Sequence, residues 1–569
     1  MLNRLKNRYF KKIILSITVF CLLVLCQCSG IQYSKYYEKV AIVSACPIAT
    51  DAGLEIYKKG GNAFDVAVAI GFTLAVTYPE AGNIGGGGFA LIRSGANKKV
   101  EALDFREKAP LAATVNMYLD ENGDVVSNAS TIGALSSGVP GTVAGLYALW
   151  EKYGSLEWKE LIQPAVDLAD NGFSVNSYLA ESFKKNKELF EQFSSTEKIF
   201  LPDNQTLKEN DKFVQKDLAG TLRQIAFDGP DVFYKGEIAR LIVKTMNANN
   251  GLISLEDLQQ YDIKWREPVK FKFDSLEIYS MVPPSSGGYV IGQILKLLEP
   301  FDFSKYFYNS PEYIHLFCEA SKRAFADRSV HLGDPDFYNI SEGLLDESYL
   351  SVRRDNMDTL RITPVEQVVP GTPENKESDQ TTHFSVADEK GNMIALTYTI
   401  NASYGSGLVI DSAGFLMNNE MDDFSIKQGS PNLYGLIGGE ANKIEPGKRM
   451  LSSMSPTLVF KNNNPYMILG SPGGSKIITI VAQAIINHSR FKHNADETVN
   501  LPRFHHQWMP DILYLEENSF DIITKQNLIS RGYDIKERSK YGDLQIITYD
   551  NGLMTASSDP RKQGKASGF

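Results

Sequence analysis

Hydrophobic and polar positions recur along this chain with two different periods, and each period dominates a different part of the chain. A period near 3.6 residues predicts amphipathic helices, and such patterns cover residues 50–59, 62–76, most of 139–250, 290–298, 311–326 and 477–487. A period of two predicts strands, and such patterns cover residues 89–93, 100–105, 270–281, 382–387, 393–400 and 544–549. These patterns predict one α+β body with a helix-rich first part and a strand-rich part after residue 381.

Local capping signals support the helix predictions near the start of the chain. Gly60-Gly61 ends the first helical pattern, and Asn62 follows as a predicted N-cap with Asp65 in the next first turn. Residues 388–391 read as the turn of a β-hairpin between two strand patterns.

A polar tract with interspersed prolines, residues 363–379, joins the two parts and ends at Gln380-Thr381-Thr382. A threonine at such a join can act as a nucleophile if the chain is cut just before it. The freed α-amine has an ordinary pKa near 8, so it can serve as a general base beside its own hydroxyl. Most Thr-Thr pairs that open a strand are simply good β-formers, so this motif alone leaves both interpretations open.

The first 28 residues form a segment unlike the rest of the chain. A basic stretch without acids precedes residues 13–25, which are almost all apolar. These 13 residues are fewer than the roughly 20 that span a bilayer comfortably. This pattern predicts an export signal, with a short membrane anchor as the alternative. Residues 25–30 resemble a relaxed lipoprotein signal around Cys28, although Gln27 replaces the usual small residue. We therefore expect a periplasmic or cell-envelope protein, with Cys28 as a possible lipid-anchor site.

Composition and charge narrow the class of protein. The 569 residues are 43% hydrophobic and 22% charged, as in soluble globular proteins. Removing the signal takes away five basic residues and no acidic ones, which changes the net charge from −10 to −15 and argues against a nucleic-acid partner. The remaining cysteines suggest neither a disulfide framework nor a zinc site, and we predict no metal and no other cofactor.

Several short motifs offer candidate chemistry. The glycine-rich turns 82–88, 138–141, 285–288 and 471–475 match no phosphate-binding fingerprint. Gly473-Gly474 can instead aim two backbone N–H groups at an oxyanion. The side chains of His505-His506 point in different directions, so packing or hydrogen bonding is expected rather than a shared metal ion.

Charged residues suggest a second kind of site. Arg106 can hold a carboxylate through two hydrogen bonds, although an arginine beside an acidic neighbour is more often a surface pair. The acidic segment 419–423 fits either a pocket for an ammonium group or a solvated turn, and it lacks the alternating ligand pattern of a calcium loop.

Taken in order, these motifs resemble the γ-glutamyltranspeptidases, which are N-terminal nucleophile hydrolases. The matching segments are residues 60–76, 81–93, 103–110, 138–145, 283–288, 380–386, 416–425, 451–456, 471–475 and 502–510. The resemblance implies a four-layer αββα sandwich made from one precursor, cut by itself between Gln380 and Thr381. The implied parts are a signal at 1–28, a large subunit at 29–380 and a small subunit at 381–569, which stay together as a heterodimer.

The resemblance also implies a role for each site residue. The implied catalytic residues are Thr381 as nucleophile and base, Thr399 as its orienting partner, and Gly473 and Gly474 as oxyanion donors. The implied substrate-binding residues are Arg106, Ser452 and Ser453 for the α-carboxylate, Asn401, Glu420 and Asp423 for the α-ammonium, and Tyr434 in a lid over the pocket.

The implied activity is that of a γ-glutamyltransferase with glutathione hydrolase activity. A γ-glutamyl ester on Thr381 would pass to water, or to an amino acid or dipeptide acceptor, from glutathione or a related donor. Two alternatives stay open. One is a glutaryl or β-lactam-type acylase on the same fold, which needs no ammonium site, and the other is a non-catalytic exported binding lipoprotein.

Overall fold

The computed structural model describes residues 35–371, 382–427 and 440–569, apart from the side chain of Glu342. Residues Gln380, Thr381 and Tyr434, and the predicted signal with Cys28, therefore lie outside the described residues. The chain from Tyr36 to Phe569 forms one unit.

Two seven-stranded antiparallel sheets form the centre of the molecule. Sheet I contains, from edge to edge, β1 (Tyr36–Tyr37), β18 (Leu553–Ser558), β17 (Gln545–Asp550), β13 (Asn464–Gly470), β12 (Thr457–Lys461), β9 (Leu276–Ser280) and β8 (Val269–Phe273). Sheet II contains β19 (Lys565–Gly568), β2 (Val40–Ser44), β10 (Thr382–Asp388), β11 (Met393–Thr399), β3 (Gly87–Arg93), β4 (Val100–Phe105) and β7 (Lys264–Arg266). Two smaller sheets combine β14 (Phe504–His505), β15 (Leu513–Glu516) and β16 (Ile535–Arg538), and β5 (Phe173–Ser174) with β6 (Lys212–Phe213).

Helices lie on the outer faces of both large sheets, and further helices pack on these. In the first part of the chain they are α1 (Pro47–Lys58), α2 (Ala63–Thr77), α3 (Thr142–Tyr153), α4 (Trp158–Asn171), α5 (Ser177–Lys185), α6 (Lys187–Phe190), α7 (Ser194–Phe200), α8 (Lys216–Asp228), α9 (Asp231–Tyr234), α10 (Glu237–Ala248) and α11 (Leu255–Gln259). The later helices are α12 (Gly287–Leu298), α13 (Pro311–His331), α14 (Glu347–Asp355), α15 (Ser475–Ser489), α16 (Ala495–Asn500) and α17 (Ile522–Ser530).

The alternation of side chains along the strands separates two hydrophobic cores. On β10, Phe384 and Val386 face a core shared with α1 to α5, whereas Ala387 faces a core shared with sheet I. The second core also takes in α12, α13 and α15 on the far side of sheet I. The layer order is therefore helix, sheet, sheet, helix, which confirms the predicted αββα sandwich.

Local predictions from the sequence are confirmed where capping and alternation were clear. Asn62 caps α2, and its side chain accepts hydrogen bonds from the N–H groups of Phe64 and Asp65. The predicted hairpin is also present, because β10 pairs with β11 from Thr382 opposite Tyr398 to Ala387 opposite Met393.

The helix-rich and strand-rich parts of the sequence do not correspond to separate parts of the fold. The hairpin β10–β11 comes from the later part, yet it lies between β2 and β3 of the first part. Periodicity reports only the local conformation of a segment, whereas burial of both sheet faces decides which strands become neighbours.

None of the helices among the described residues is both long enough and apolar enough to cross a membrane.

Candidate active site

The hairpin of sheet II places Thr399 at the end of a strand pair. Thr382, which follows Thr381 directly, begins β10 opposite Tyr398, and Thr399 is the next residue of β11. The hydroxyl of Thr399 accepts a hydrogen bond from the N–H of Asn401 at 2.8 Å. Thr399, proposed to orient the nucleophile, and Asn401, one of the residues proposed for the ammonium group, thus share one turn.

A glycine-rich turn comes close to the backbone of Thr399. A Cβ atom at Gly86 would lie 1.9 Å from the Thr399 carbonyl oxygen, so this position tolerates no side chain. The side-chain amide of Asn83 donates to the same carbonyl at 2.9 Å, and its oxygen accepts from the N–H of Gly86 at 2.9 Å. Residues 82–88 are therefore a structural support for Thr399 and not a phosphate cradle.

Asn418 supports the acidic segment in the same way. Its side-chain amide donates to the carbonyls of Gly85 and Gly138, both at 2.8 Å. Its oxygen accepts from the N–H groups of Gly138 and Glu420. The sequence analysis gave no role to Asn83 or Asn418, although both lie inside segments that carry the family resemblance.

Arg106, Glu420 and Asp423 form a buried charged centre. The two terminal nitrogens of the Arg106 guanidinium pair separately with Glu420 and Asp423. Relative exposure of these side chains is 0% for Arg106 and 2% for each carboxylate. The alternatives of a surface arginine pair and a solvated acidic turn are therefore wrong.

The charged centre perturbs the ionisation of its members. Burial alone would lower the pKa of Arg106, but Glu420 and Asp423 raise it above its ordinary value. Burial raises the pKa of Glu420 against the opposing effect of Arg106. Burial and the charge of Glu420 raise the pKa of Glu107, a neighbour that the sequence analysis did not single out.

The segment that carries the two candidate serines is attached to the same arginine. The Nε of Arg106 donates to the carbonyl of Met450 at 3.2 Å, and its Nη2 donates to that of Leu451 at 3.3 Å. Ser452 and Ser453 follow directly, and both are buried. The structure therefore brings together Arg106, the acidic segment and the serine pair, as the sequence predicted.

Pro284 and the glycine-rich turn 285–288 that follows it hold this serine segment through backbone hydrogen bonds. The N–H of Ser452 donates to the carbonyl of Pro284 at 2.7 Å, and the N–H of Ser286 donates to the carbonyl of Ser452 at 2.8 Å. This pair of bonds sets the path of the backbone at Ser452.

Gly473 and Gly474 have a backbone that other residues rarely adopt. Their φ angles are +134° and +63°, and Gly474 caps the start of α15. Any side chain would be strained in these conformations. Positive partial charge at the start of a long helix favours negative charge nearby, so the pair has the electrostatics expected of an oxyanion site.

His383 connects the hairpin with the strand that leads to this glycine pair. Its ring lies where a Cβ of Gly470, the last residue of β13, would approach within 2.4 Å. Its nitrogens lie 2.8 Å from the hydroxyl of Thr397 and 3.0 Å from that of Ser385. Burial lowers the pKa of His383 from its ordinary value of 6.5 to about 3.

This burial predicts a pH dependence of stability. Between pH 6.5 and 3 the unfolded chain binds a proton at residue 383 and the folded chain does not. Above pH 6.5, His383 therefore does not reduce the free energy of unfolding. As the pH falls from 6.5 to 3, proton binding by the unfolded chain lowers the free energy of unfolding by about 1.4 kcal/mol per pH unit. Urea unfolding at pH 7 and pH 5 should show a smaller loss for His383→Gln than for the unsubstituted protein. Equal losses would contradict the assignment.

Hydrogen bonding accounts for the adjacent histidines. His505 lies 2.8 Å from Gln507 through Nε2, and Nδ1 of His506 accepts a hydrogen bond from the N–H of Trp508 at 3.3 Å. The interpretation of this pair as hydrogen bonded is confirmed. The described residues contain no group of three or more His, Cys, Asp or Glu side chains that could hold a metal ion.

Comparisons with known proteins agree with this geometry. The family model described as Gamma-glutamyltranspeptidase matches residues 49–569. The glutathione hydrolase proenzyme of Escherichia coli strain K12 is 45% identical over 523 residues, which cover 91% of this chain and 90% of that protein. The crystal structure of Helicobacter pylori γ-glutamyltranspeptidase is similar with a TM-score of 0.57 at 47% identity, over 58% of this chain and 94% of that one. A cephalosporin acylase from Bacillus halodurans gives a TM-score of 0.84 at 26% identity, over 95% of this chain and 97% of that one.

Proposed function

The chain belongs to the γ-glutamyltranspeptidase family, and from this premise we propose how its site acts. The protein is a γ-glutamyltransferase with glutathione hydrolase activity, made as a proenzyme. The observation that carries this function is the buried charged centre of Arg106, Glu420 and Asp423.

A charged centre of this kind suits a zwitterionic ligand. Burying three charges is costly unless each is paired. The α-carboxylate of a γ-glutamyl group can take a place on Arg106, beside the hydroxyls of Ser452 and Ser453. Its α-ammonium can then pair with the carboxylates of Glu420 and Asp423, beside Asn401. Opposite charges thus align the two ends of the glutamyl head.

Acyl transfer begins at Thr381, where the hydroxyl oxygen forms a bond to the γ-carbonyl carbon and gives its proton to the residue's own α-amine. The N–H groups of Gly473 and Gly474 stabilise the resulting oxyanion, and one such donor is typically worth about 3–4 kcal/mol. Collapse breaks the carbon–nitrogen bond, and the leaving amine takes the proton from the α-ammonium. Thr399 orients the Thr381 hydroxyl during this step.

The ester on Thr381 is resolved by a second addition. Water or the amine of an amino acid or dipeptide bonds to the acyl carbon and gives one proton to the α-amine. The carbon–oxygen bond to Thr381 breaks, and the hydroxyl recovers that proton. The products are glutamate or a new γ-glutamyl compound.

Maturation by a cut between Gln380 and Thr381 is part of the proposal. It would yield subunits 29–380 and 381–569, and the sheet order supports their lasting association. Strand β10 of the small subunit pairs with β2 of the large one, and β11 pairs with β3 over seven residue pairs. The heterodimer is therefore held by backbone hydrogen bonds inside one sheet.

We further propose that residues 1–28 direct export to the periplasm or cell envelope, with Cys28 as a site for a lipid anchor. The basic and apolar pattern of that segment supports this location. Tyr434 is proposed as part of a lid over the pocket, which would favour small donors over polymeric γ-glutamate.

The acylase alternative has weaker support. Identity to the Bacillus halodurans acylase is 26%, against 45% for the Escherichia coli glutathione hydrolase proenzyme. A glutaryl side chain also has no ammonium group, so it would leave Glu420 and Asp423 without their proposed ligand.

A pair of substrates tests the function. The processed protein is expected to release glutamate and cysteinylglycine from glutathione, and to cleave the glutaryl analogue at least about 30-fold more slowly, because a buried charge pair left incomplete costs 2 kcal/mol or more. Equal rates would favour the acylase. Absence of turnover of both substrates by processed protein would favour a binding protein.

A further inference from the structure

A buried chain of polar side chains holds the residue that follows the glycine pair. Ser475, the first residue of α15, donates its hydroxyl hydrogen to the side-chain oxygen of Gln507 at 2.6 Å. That oxygen also lies 2.8 Å from Nε2 of His505, whose Nδ1 lies 2.8 Å from the hydroxyl of Thr479. The chain therefore leaves α15 at Ser475 and returns to it one turn later.

The direction of these bonds is determined by their neighbours. The amide nitrogen of Gln507 donates to the carbonyl of Met509 at 3.1 Å, which turns its oxygen toward Ser475. Burial, followed by the charge of Lys476, lowers the pKa of His505 well below its ordinary value. A neutral His505 can donate through Nε2, so the oxygen of Gln507 accepts two hydrogen bonds.

The other end of the glycine-rich loop is held as well. The hydroxyl of Ser471 accepts a hydrogen bond from the N–H of Asp543 at 3.1 Å. A Cβ at Gly473 would lie 3.7 Å from the Cα of Gly542 in the same turn. Two glycines with positive φ thus stand between two anchored serines, and glycine has the greatest backbone freedom to lose.

We propose that Gln507 is a positioning residue for acyl transfer, because it holds Ser475 and thereby aims the N–H groups of Gly473 and Gly474. This inference rests on the proposed function. Oxyanion donors act only when they lie within about 2.7–3.1 Å of the developing charge, and loss of one lowers kcat by about 10²–10³. The glutamyl head is bound elsewhere, at the charged centre, so a displaced glycine pair lowers kcat and leaves KM nearly unchanged.

Three variants test this role: Ser475→Ala, Gln507→Met and the double variant. Only processed protein is compared, and its active sites are counted by mass spectrometry of the γ-glutamyl ester formed in the first turnover. Each single variant is expected to lose about 10–100-fold in kcat per counted site, with KM for glutathione within about threefold. The double variant should lose no more than the more affected single one, because both remove the same bond.

Ser489→Ala is the matched control. Ser489 ends the same helix, and its hydroxyl donates to the carbonyl of Ile485 at 2.6 Å, so its loss tests helix stability alone. This control is expected to keep its kcat within about twofold, because the hydrogen bond that it loses lies in the last turn of α15, at the end away from the glycine pair. Unchanged kcat in Ser475→Ala and Gln507→Met would overturn the inference. It would also be overturned if KM changed by as large a factor as kcat. An unsubstituted protein without γ-glutamyl hydrolysis would instead overturn the proposed function.

Discussion

Replacing Thr381 with alanine is expected to leave the precursor as one uncut chain and to abolish hydrolysis of glutathione. The substitution removes the hydroxyl that attacks the γ-carbonyl, and we propose that the same hydroxyl makes the cut before residue 381. Loss of a hydrolase nucleophile has lowered kcat by about 10⁶, so we expect a loss of at least about 10⁴ here. Intact mass and N-terminal sequencing measure the cut, and glutamate release measures the turnover.

The neighbouring threonine provides a matched control. Thr382 is fully buried, and its hydroxyl has no hydrogen-bond partner among the described residues. Thr382→Val keeps the shape and the strand preference of the side chain. It is expected to yield a fragment that begins at residue 381 and to keep kcat within about threefold. A cut in Thr381→Ala at the same bond would contradict the nucleophile assignment.

Arg106→Lys is expected to lower kcat/KM for glutathione by about 10²–10³, mainly through KM. Lysine keeps a positive charge for Glu420 and Asp423 but loses the planar fork that holds carboxylates through two bonds. The cost of impairing one buried charge pair is about 3–4 kcal/mol, which corresponds to that factor. Steady-state kinetics with glutathione and with a donor whose α-carboxylate is a carboxamide measure the effect. The loss should be at least about tenfold smaller for the carboxamide, because that donor cannot use the full charge of Arg106.

Arg490→Lys separates this effect from the general cost of replacing a paired arginine. Arg490 follows α15 at the end away from the glycine pair, and it donates to the carboxylate of Asp274 through Nε and Nη2. This variant is expected to keep kcat/KM within about threefold. A similar loss for both donors in Arg106→Lys, or for both arginine variants, would exclude carboxylate recognition by Arg106.

Much of the local structure was predictable because its causes lie within a few residues. Asn62 and Asp65 form both bonds of a capping box, and the strands on either side of residues 388–391 form the expected hairpin. The glycine pair at 473–474 was also identifiable in the sequence. The positive φ angles of these two positions require glycine, so the residue type itself indicates the unusual backbone. The roles of Thr381 and Tyr434 stay predictions, since both residues lie outside the described part of the chain.

The residues that support the site were not visible in the sequence. Asn83, Asn418 and Gln507 each act through backbone groups or side chains distant along the chain, and no local pattern distinguishes them from other amides. Glu107 was passed over because its burial, which raises its pKa, depends on the packing of other segments.

The sequence by itself determined the elements, the capping residues, the candidate nucleophile and the types of charge needed for a glutamyl head. Only the tertiary structure decided that β10 and β11 lie between β2 and β3, and that Arg106 meets Glu420 across 314 positions of sequence. Helix and strand periodicity arises from contacts between near neighbours, which any short window of sequence contains. The charged centre exists because the end of β4, residues 420–423 and residues 450–451 pack together and exclude water, and that burial is a property of the whole chain.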